Sequence, residues 1–166
     1  MSIFGVDLGT RRISVAEAET GWLYECSLET TRLKRQFPTE TDAGQQLGQL
    51  AADQIGVNFG YANHHFFCER PVTLRGPRQN IRTAVGQGLS AGAVIAHLPG
   101  TTHVVENSQW KLEVIGSGNA DKDAIARWLA DYQPALAAVC AQTQDGADAF
   151  CIALYGGAFL AQAGGL

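Results

Sequence analysis

"IFGVDLGTRR", residues 3–12, decides how the fold is read. Ile3, Phe4 and Val6 read as a strand entering a hydrophobic core, yet Asp7 stands where that strand runs out. Gly9, Thr10, Arg11 and Arg12 follow as a turn. An aspartate often starts a turn by bonding the backbone just after it. A functional aspartate here would instead need partner carboxylates held on other elements.

Working outward, residues 2–8, 12–18 and 22–29 form three short strands separated by Gly9-Thr10 and Thr20-Gly21, the pattern of an antiparallel meander. Pro38 to Asp42 opens a helix of about fifteen residues, with Leu47, Leu50, Ala51 and Ile55 on one face. "HHFFCERP" (64–71) is an apolar strand that ends in Glu69 and is closed by Pro71, so a second acid sits at a second strand end. Residues 79–97 form a helix rich in small residues. Gly86, Gly88 and Gly92 each cost about 1 kcal/mol of helix propensity relative to Ala. Close packing on its own sheet and a homodimer interface explain that composition equally well. "TTHVVE" (101–106) is a fifth strand, Asn119 caps a helix whose apolar face is Ala124, Ile125, Trp128 and Leu129, and a closing helix starts near 145, with "AQAGGL" (161–166) frayed.

A chain of 166 residues is expected to form one domain, 1–166, with a substantial core. Its 46% hydrophobic and 17% charged content is that of a globular chain and not of a disordered one. No stretch approaches the roughly 18 apolar residues of a membrane span, and no basic segment precedes an apolar one as in a secretory signal. Cys26, Cys68, Cys140 and Cys151 lie far apart with no CxxC pair, which favours reduced thiols over disulfides or zinc. The four histidines show no ligand spacing. A cytoplasmic location follows, in the host cytoplasm or organelle matrix for a phage- or organelle-encoded chain. The net charge of −4 argues against nucleic acid only as a sum. Arg70, Arg75, Arg78 and Arg82 fall together, with no acid between Glu69 and Glu106, and Arg32, Lys34 and Arg35 form a second basic cluster.

"DGADAF" opens the last helix with Asp145 and Asp148 three residues apart, on one helical face. Acids in a first turn are also favoured by the helix dipole, and capping alone explains either one. Four carboxylates brought together would repel and raise some of their pKa values unless cations neutralise them. Mg²⁺ or Mn²⁺ suits such oxygen ligands, and two of these ions about 4 Å apart can promote phosphodiester hydrolysis.

The order of Asp7 after the first strand, Glu69 after a later one and "DGAD" opening the last helix resembles the RuvC family of Holliday-junction resolvases. "VGQGLSAGAVIA", "SQWKLEVIGSGNADKDAI" and "DGADAFCIAL" extend the resemblance over residues 3–160. It implies an α/β, RNase H-like fold: a five-stranded mixed sheet, three antiparallel strands then two parallel, flanked by helices. It further implies an endonuclease that cuts branched DNA as a homodimer through the helix around 79–97. Asp7, Glu69, Asp145 and Asp148 would hold two Mg²⁺ ions, with Mn²⁺ able to substitute. Lys122 would position the phosphate and Lys111 would contact the backbone. Without the resemblance, Lys122 reads equally as a surface charge pairing with Asp121 or Asp123. Arg70, Arg75, Arg78, Arg82, Arg11, Arg12 and Arg32 are candidates for phosphate contacts, which give affinity with steep salt dependence. Arg127 reads as a solvated surface charge.

The chain departs from the family at two places. Leu8 follows the first acid where the family has proline, and "RPVTLRGPRQN" offers Leu74 where the family carries an aromatic wedge. "GVDLGTRRISVA" also resembles the YqgF type of RNase H-like nuclease, which acts on RNA. "DLGT" resembles the phosphate turn of actin-like ATPases, but 166 residues are too few for their two domains. A catalytically inactive DNA-binding module is a third alternative, against which the retention of all four acids counts.

Overall fold

A computed structural model of the chain describes residues 1–61, 63–71, 81–140 and 144–164, with the backbone alone at Arg82 and Gln144. Strands β1 (Ser2–Leu8), β2 (Arg12–Glu17) and β3 (Leu23–Ser27) form the expected meander. Strands β4 (His64–Glu69) and β5 (Gly100–Val105) add in parallel on the other side of β1, giving the order β3-β2-β1-β4-β5. The mixed α/β sheet implied by the sequence is therefore present. Its hairpins are held locally. The Gly9 N–H donates to the Arg12 carbonyl at 3.0 Å. The buried Glu17 carboxylate accepts from the backbone N–H groups of Glu19 (3.0 Å) and Thr20 (2.7 Å) and from the Thr20 hydroxyl (2.7 Å).

Alternation along the strands separates two cores. Phe4, Val6, Ile13, Val15, Phe66 and Cys68 pack against Leu47, Ala51 and Ile55 of α2 (Glu40–Phe59) and Val94 of α3 (Ile81–Ile95). Ile3 and Phe67 belong to the opposite face, covered by α7 (Gln144–Gln162) with α4 (Asn107–Ile115), α5 (Lys122–Tyr132) and α6 (Pro134–Cys140) around it. A fully buried phenylalanine such as Phe4 contributes about 2–3 kcal/mol.

Gly5 lets α7 lie directly on the sheet. A Cβ there would fall on the Ala149 carbonyl oxygen and the Ala153 backbone nitrogen. By the same logic Gly44 and Gly48 of α2 admit the backbone of α3 at Ser90 and Val94. The close packing expected of α3 against its sheet is instead made against α2, and it is the glycines of α2 that allow it. Gly88 and Gly92 of α3 face open space, and Ile81, Val85 and Leu89 are exposed.

The structure corrects several local expectations. Helix α2 runs for 20 residues from a Thr39–Asp42 capping box, longer than its apolar face suggested. The cap of α5 is Asp121, which accepts the Ala124 N–H at 2.8 Å, while Asn119 sits in the turn before it. Helix α7 continues through Gln162, so Ala161 and Gln162 are helical and not frayed. Helices α1 (Thr31–Gln36), α4 and α6 were not anticipated. Leu74, Arg75 and Arg78 lie outside the described residues, as does the side chain of Arg82. All four cysteines are free, and no helix of the described residues is long and apolar enough to cross a membrane.

Candidate active site

The parallel strands β1 and β4 run out at the same edge of the sheet, where α7 begins. Register pairs Val6 with Cys68, so Asp7 and Glu69 are the next residues on adjacent strands. Both share a face with Gly5 and Phe67, the face that α7 covers. The close approach at Gly5 seats the start of α7 over that edge, bringing in Asp145 and Asp148. The sheet row continues from Asp7 to Ser14 and Glu25 by register, and the Ser14 hydroxyl donates to Glu25 at 3.0 Å.

The four acids sense one another. Burial, first, and then the charges of Glu69, Asp148 and Asp145 push the Asp7 carboxyl up to about 8, against a smaller opposing pull from Lys122. Burial also pushes Asp148 up to about 6, opposed chiefly by Lys111 and then raised by Glu69. Among the described residues neither Asp7 nor Asp148 has a hydrogen-bond donor or an ion-pair partner.

The other two acids are held by the protein. Asp145 accepts from Arg12 Nη1 at 3.0 Å on one oxygen and faces Lys122 Nζ at 3.6 Å with the other. Arg12 also lies 3.9 Å from Glu29. Glu69 accepts from Asn107 Nδ2 at 2.6 Å on Oε1 and from Trp110 Nε1 at 3.2 Å on Oε2. Among the described residues no three Asp, Glu, His or Cys side chains stand together in metal-holding geometry.

Two clefts of about 370 Å³ open beside the acids. One is lined by Arg12, Ser14, Glu25, Ser27, Lys122 and Asp145. The other is lined by Glu69, Arg70, Glu106, Asn107, Ser108 and Lys111. Lys122 opens α5 at the first cleft, and Lys111 Nζ lies 5.4 Å from the Trp110 ring centroid at the second. Arg70 pairs with Glu106. Arg11 is occupied elsewhere, donating to the carbonyls of Phe37 (2.8 Å) and Pro38 (3.2 Å). Arg32 is exposed on α1 with Lys34 and Arg35, and Arg127 is exposed on α5.

Against solved structures, the chain is similar to the Thermus thermophilus RuvC structure, with a TM-score of 0.58 and 16% identity over 99% of this chain and 97% of that one. It is also similar to T. thermophilus RuvC in complex with a Holliday junction substrate, with a TM-score of 0.62 and 19% identity over the same shares. The chain has a RuvC-like fold. No family model matches the sequence, and no curated protein is significantly similar to it.

Within this RuvC-like fold, two contributors and one contact escaped the sequence reading. Asn107 and Trp110 reach Glu69 from α4, and Arg12, read as a phosphate contact, grips Asp145 across 133 residues of chain. The one available signal was position. "ENSQW" directly follows the strand β5, whose C-terminal end lies beside Glu69, and sites in parallel sheets gather at such ends.

Proposed function

We propose that this chain is a metal-dependent endonuclease that cuts branched DNA, with four-way junctions as its substrate and a homodimer as its working form. The observation that carries the reading is Asp7. It is a half-buried carboxylate with no hydrogen-bond donor among the described residues, pushed up to about 8 by desolvation and by three acids drawn from β4 and α7. Such a group fits a hard divalent cation, which would relieve both the repulsion and the desolvation. Asp7, Glu69, Asp145 and Asp148 would hold Mg²⁺ or Mn²⁺. When bound there, the ions supply charge neutralisation and an activated water for hydrolysis of the phosphodiester.

The chain's own residues do the rest. Lys122, beside Asp145 at the start of α5, holds the scissile phosphate. Lys111, Arg12 and Arg70 line the two clefts and contact neighbouring phosphates, with Arg75, Arg78 and Arg82 extending the basic run. Release of counterions from these contacts makes affinity fall steeply with salt. Ile81, Val85 and Leu89, spaced four apart and exposed on α3, form the face for a second copy. A two-fold axis through that face would pair two active sites for symmetric incision.

The test is cleavage of a labelled synthetic four-way junction beside duplex DNA, a flap and single-stranded RNA, with Mg²⁺ and with EDTA. Paired symmetric nicks in the junction, only with Mg²⁺, are expected. Cleavage of RNA alone would replace this reading with the YqgF-type one. Binding without cleavage by folded protein would leave a DNA-binding module.

A further inference from the structure

We propose that Asn107 and Trp110 are positioning residues that aim the Glu69 carboxylate at the cation site, so that the Trp110 indole reports the arrival of a cation. This rests on the metal reading given above. The geometry is delivered by the backbone. Glu69 ends β4 in register with Val105, and two residues later the chain turns into α4 at Asn107. Asn107 and Trp110 lie three apart on that helix, on one face, and each gives one donor to one oxygen of Glu69.

Two features make this more than a satisfied core residue. An ionised carboxylate offers about four lone-pair sites. One donor on each oxygen therefore fixes the plane of the group while leaving a direction open on both oxygens for a ligand. The indole donor also has no other partner among the described residues. The indole N–H can only donate, Trp110 is 0% exposed, and Glu69 is the hydrogen-bond partner of that N–H. Outer-shell donors to a ligating carboxylate set its orientation, and their loss costs about 10- to 100-fold in metal affinity or activity.

Because Trp110 touches Glu69 directly, charge transferred onto a cation weakens that hydrogen bond and changes the polarity felt by the indole. Trp22 and Trp128 lie elsewhere, in partly exposed aromatic pairs with Tyr24 and Tyr132. A Trp22→Phe, Trp128→Phe protein therefore isolates the Trp110 signal.

The experiment is Mg²⁺ titration of DNA-free protein by calorimetry and by Trp110 emission. It compares wild type, the single-tryptophan protein, Asn107→Ala and Trp110→Phe, with thermal melting of each without metal. The expected result is a saturable shift in Trp110 emission at the Mg²⁺ concentration that calorimetry reports. Asn107→Ala should weaken Mg²⁺ binding about tenfold while its metal-free melting temperature stays that of wild type, a combination that a merely structural role would not produce. Unchanged Mg²⁺ affinity in both donor variants, with wild type still binding, overturns this proposal and leaves the metal reading standing. An absence of Mg²⁺ binding by wild type, with and without junction DNA, overturns both.

Discussion

Asp7 and Asp145 are both carboxylates at the same sheet edge, yet the fold treats them in opposite ways. Asp7 comes from a strand end on the sheet face that α7 covers, has no donor of its own among the described residues, and is pushed up to about 8. Asp145 comes from a helix start, is partly exposed, and is gripped by Arg12 and Lys122. Asp148 sides with Asp7, and Glu69, held by Asn107 and Trp110, sides with Asp145. The difference is one of desolvated, mutually repelling charge against satisfied charge. A cation would relieve the first pair; in the second, Asp145 is held by the charges of Arg12 and Lys122, whereas Glu69 takes one neutral donor on each oxygen.

The sharpest way to break the comparison is Asp7→Asn. If Asp7 anchors the cations, junction cleavage should fall by at least about a thousandfold, roughly 4 kcal/mol of transition-state stabilisation, while junction binding at fixed salt is retained. Gel-based cleavage and binding assays read the two separately. Near wild-type cutting would remove Asp7 from the site. Next in size is Gly5→Ala. The added methyl meets the α7 backbone at Ala149 and Ala153, neither of which is the end of a flexible side chain. Overpacking of this kind should destabilise the fold by about 3 kcal/mol or more, read by urea unfolding. An unchanged midpoint would show that α7 does not sit on Gly5 as described.

Burial of Asp7, with the repulsion from its neighbours, also sets a pH dependence. In the unfolded chain the carboxyl releases its proton near 3.8, whereas in the native protein it keeps it to about 8. The native state therefore binds the extra proton in that window, and stability falls as pH rises through it. Asp148, raised to about 6, adds a loss of the same sign at lower pH. Metal-free protein should lose several kcal/mol between pH 4 and 8, at roughly 1.4 kcal/mol per pH unit while Asp7 alone differs between the two states, in melts recorded with EDTA. Asp7→Asn should flatten most of that slope, and saturating Mg²⁺ should oppose it. A metal-free stability that rises steadily from pH 5 to 8 would contradict the desolvation and repulsion at Asp7.

How far the site was legible depended on whether its signal was local. Apolar strands ending in Asp7 and Glu69, and "DGAD" at a helix start, are short patterns, and all three survive in the fold. Gly5 in mid-strand was a usable sign of close backbone approach, though only the position of α7 gave it meaning. Helices α1, α4 and α6 span 6, 9 and 7 residues and are too short for a helical period to declare itself. Because α4 went unread, its donors to Glu69 went unread with it. Asp121 and Asn119 are both good caps by residue type, and only the bond to the Ala124 N–H separates them. The Arg12–Asp145 contact joins the two ends of the chain, and no window of sequence holds both.

That contact gives the smallest effect and the finest test of the contrast. Arg12 is 53% exposed and Asp145 23%, so the pair is worth only about 0.5–1 kcal/mol. If Arg12 parks Asp145 away from the cations, Arg12→Gln should tighten Mg²⁺ binding to DNA-free protein by about two- to fivefold. Removing any nearby positive charge favours a cation to some degree, so Arg127→Gln serves as the control. It deletes the same charge from an exposed site on α5. In the presence of DNA the sign reverses. A phosphate contact is lost, junction affinity weakens, and the slope of log affinity against log salt shrinks by about one unit. Equal Mg²⁺ tightening in Arg12→Gln and Arg127→Gln would mean that only the general field matters. A selective gain in Arg12→Gln together with a shallower salt slope would mean that a DNA phosphate, by drawing Arg12 off Asp145, helps complete the site that cuts it.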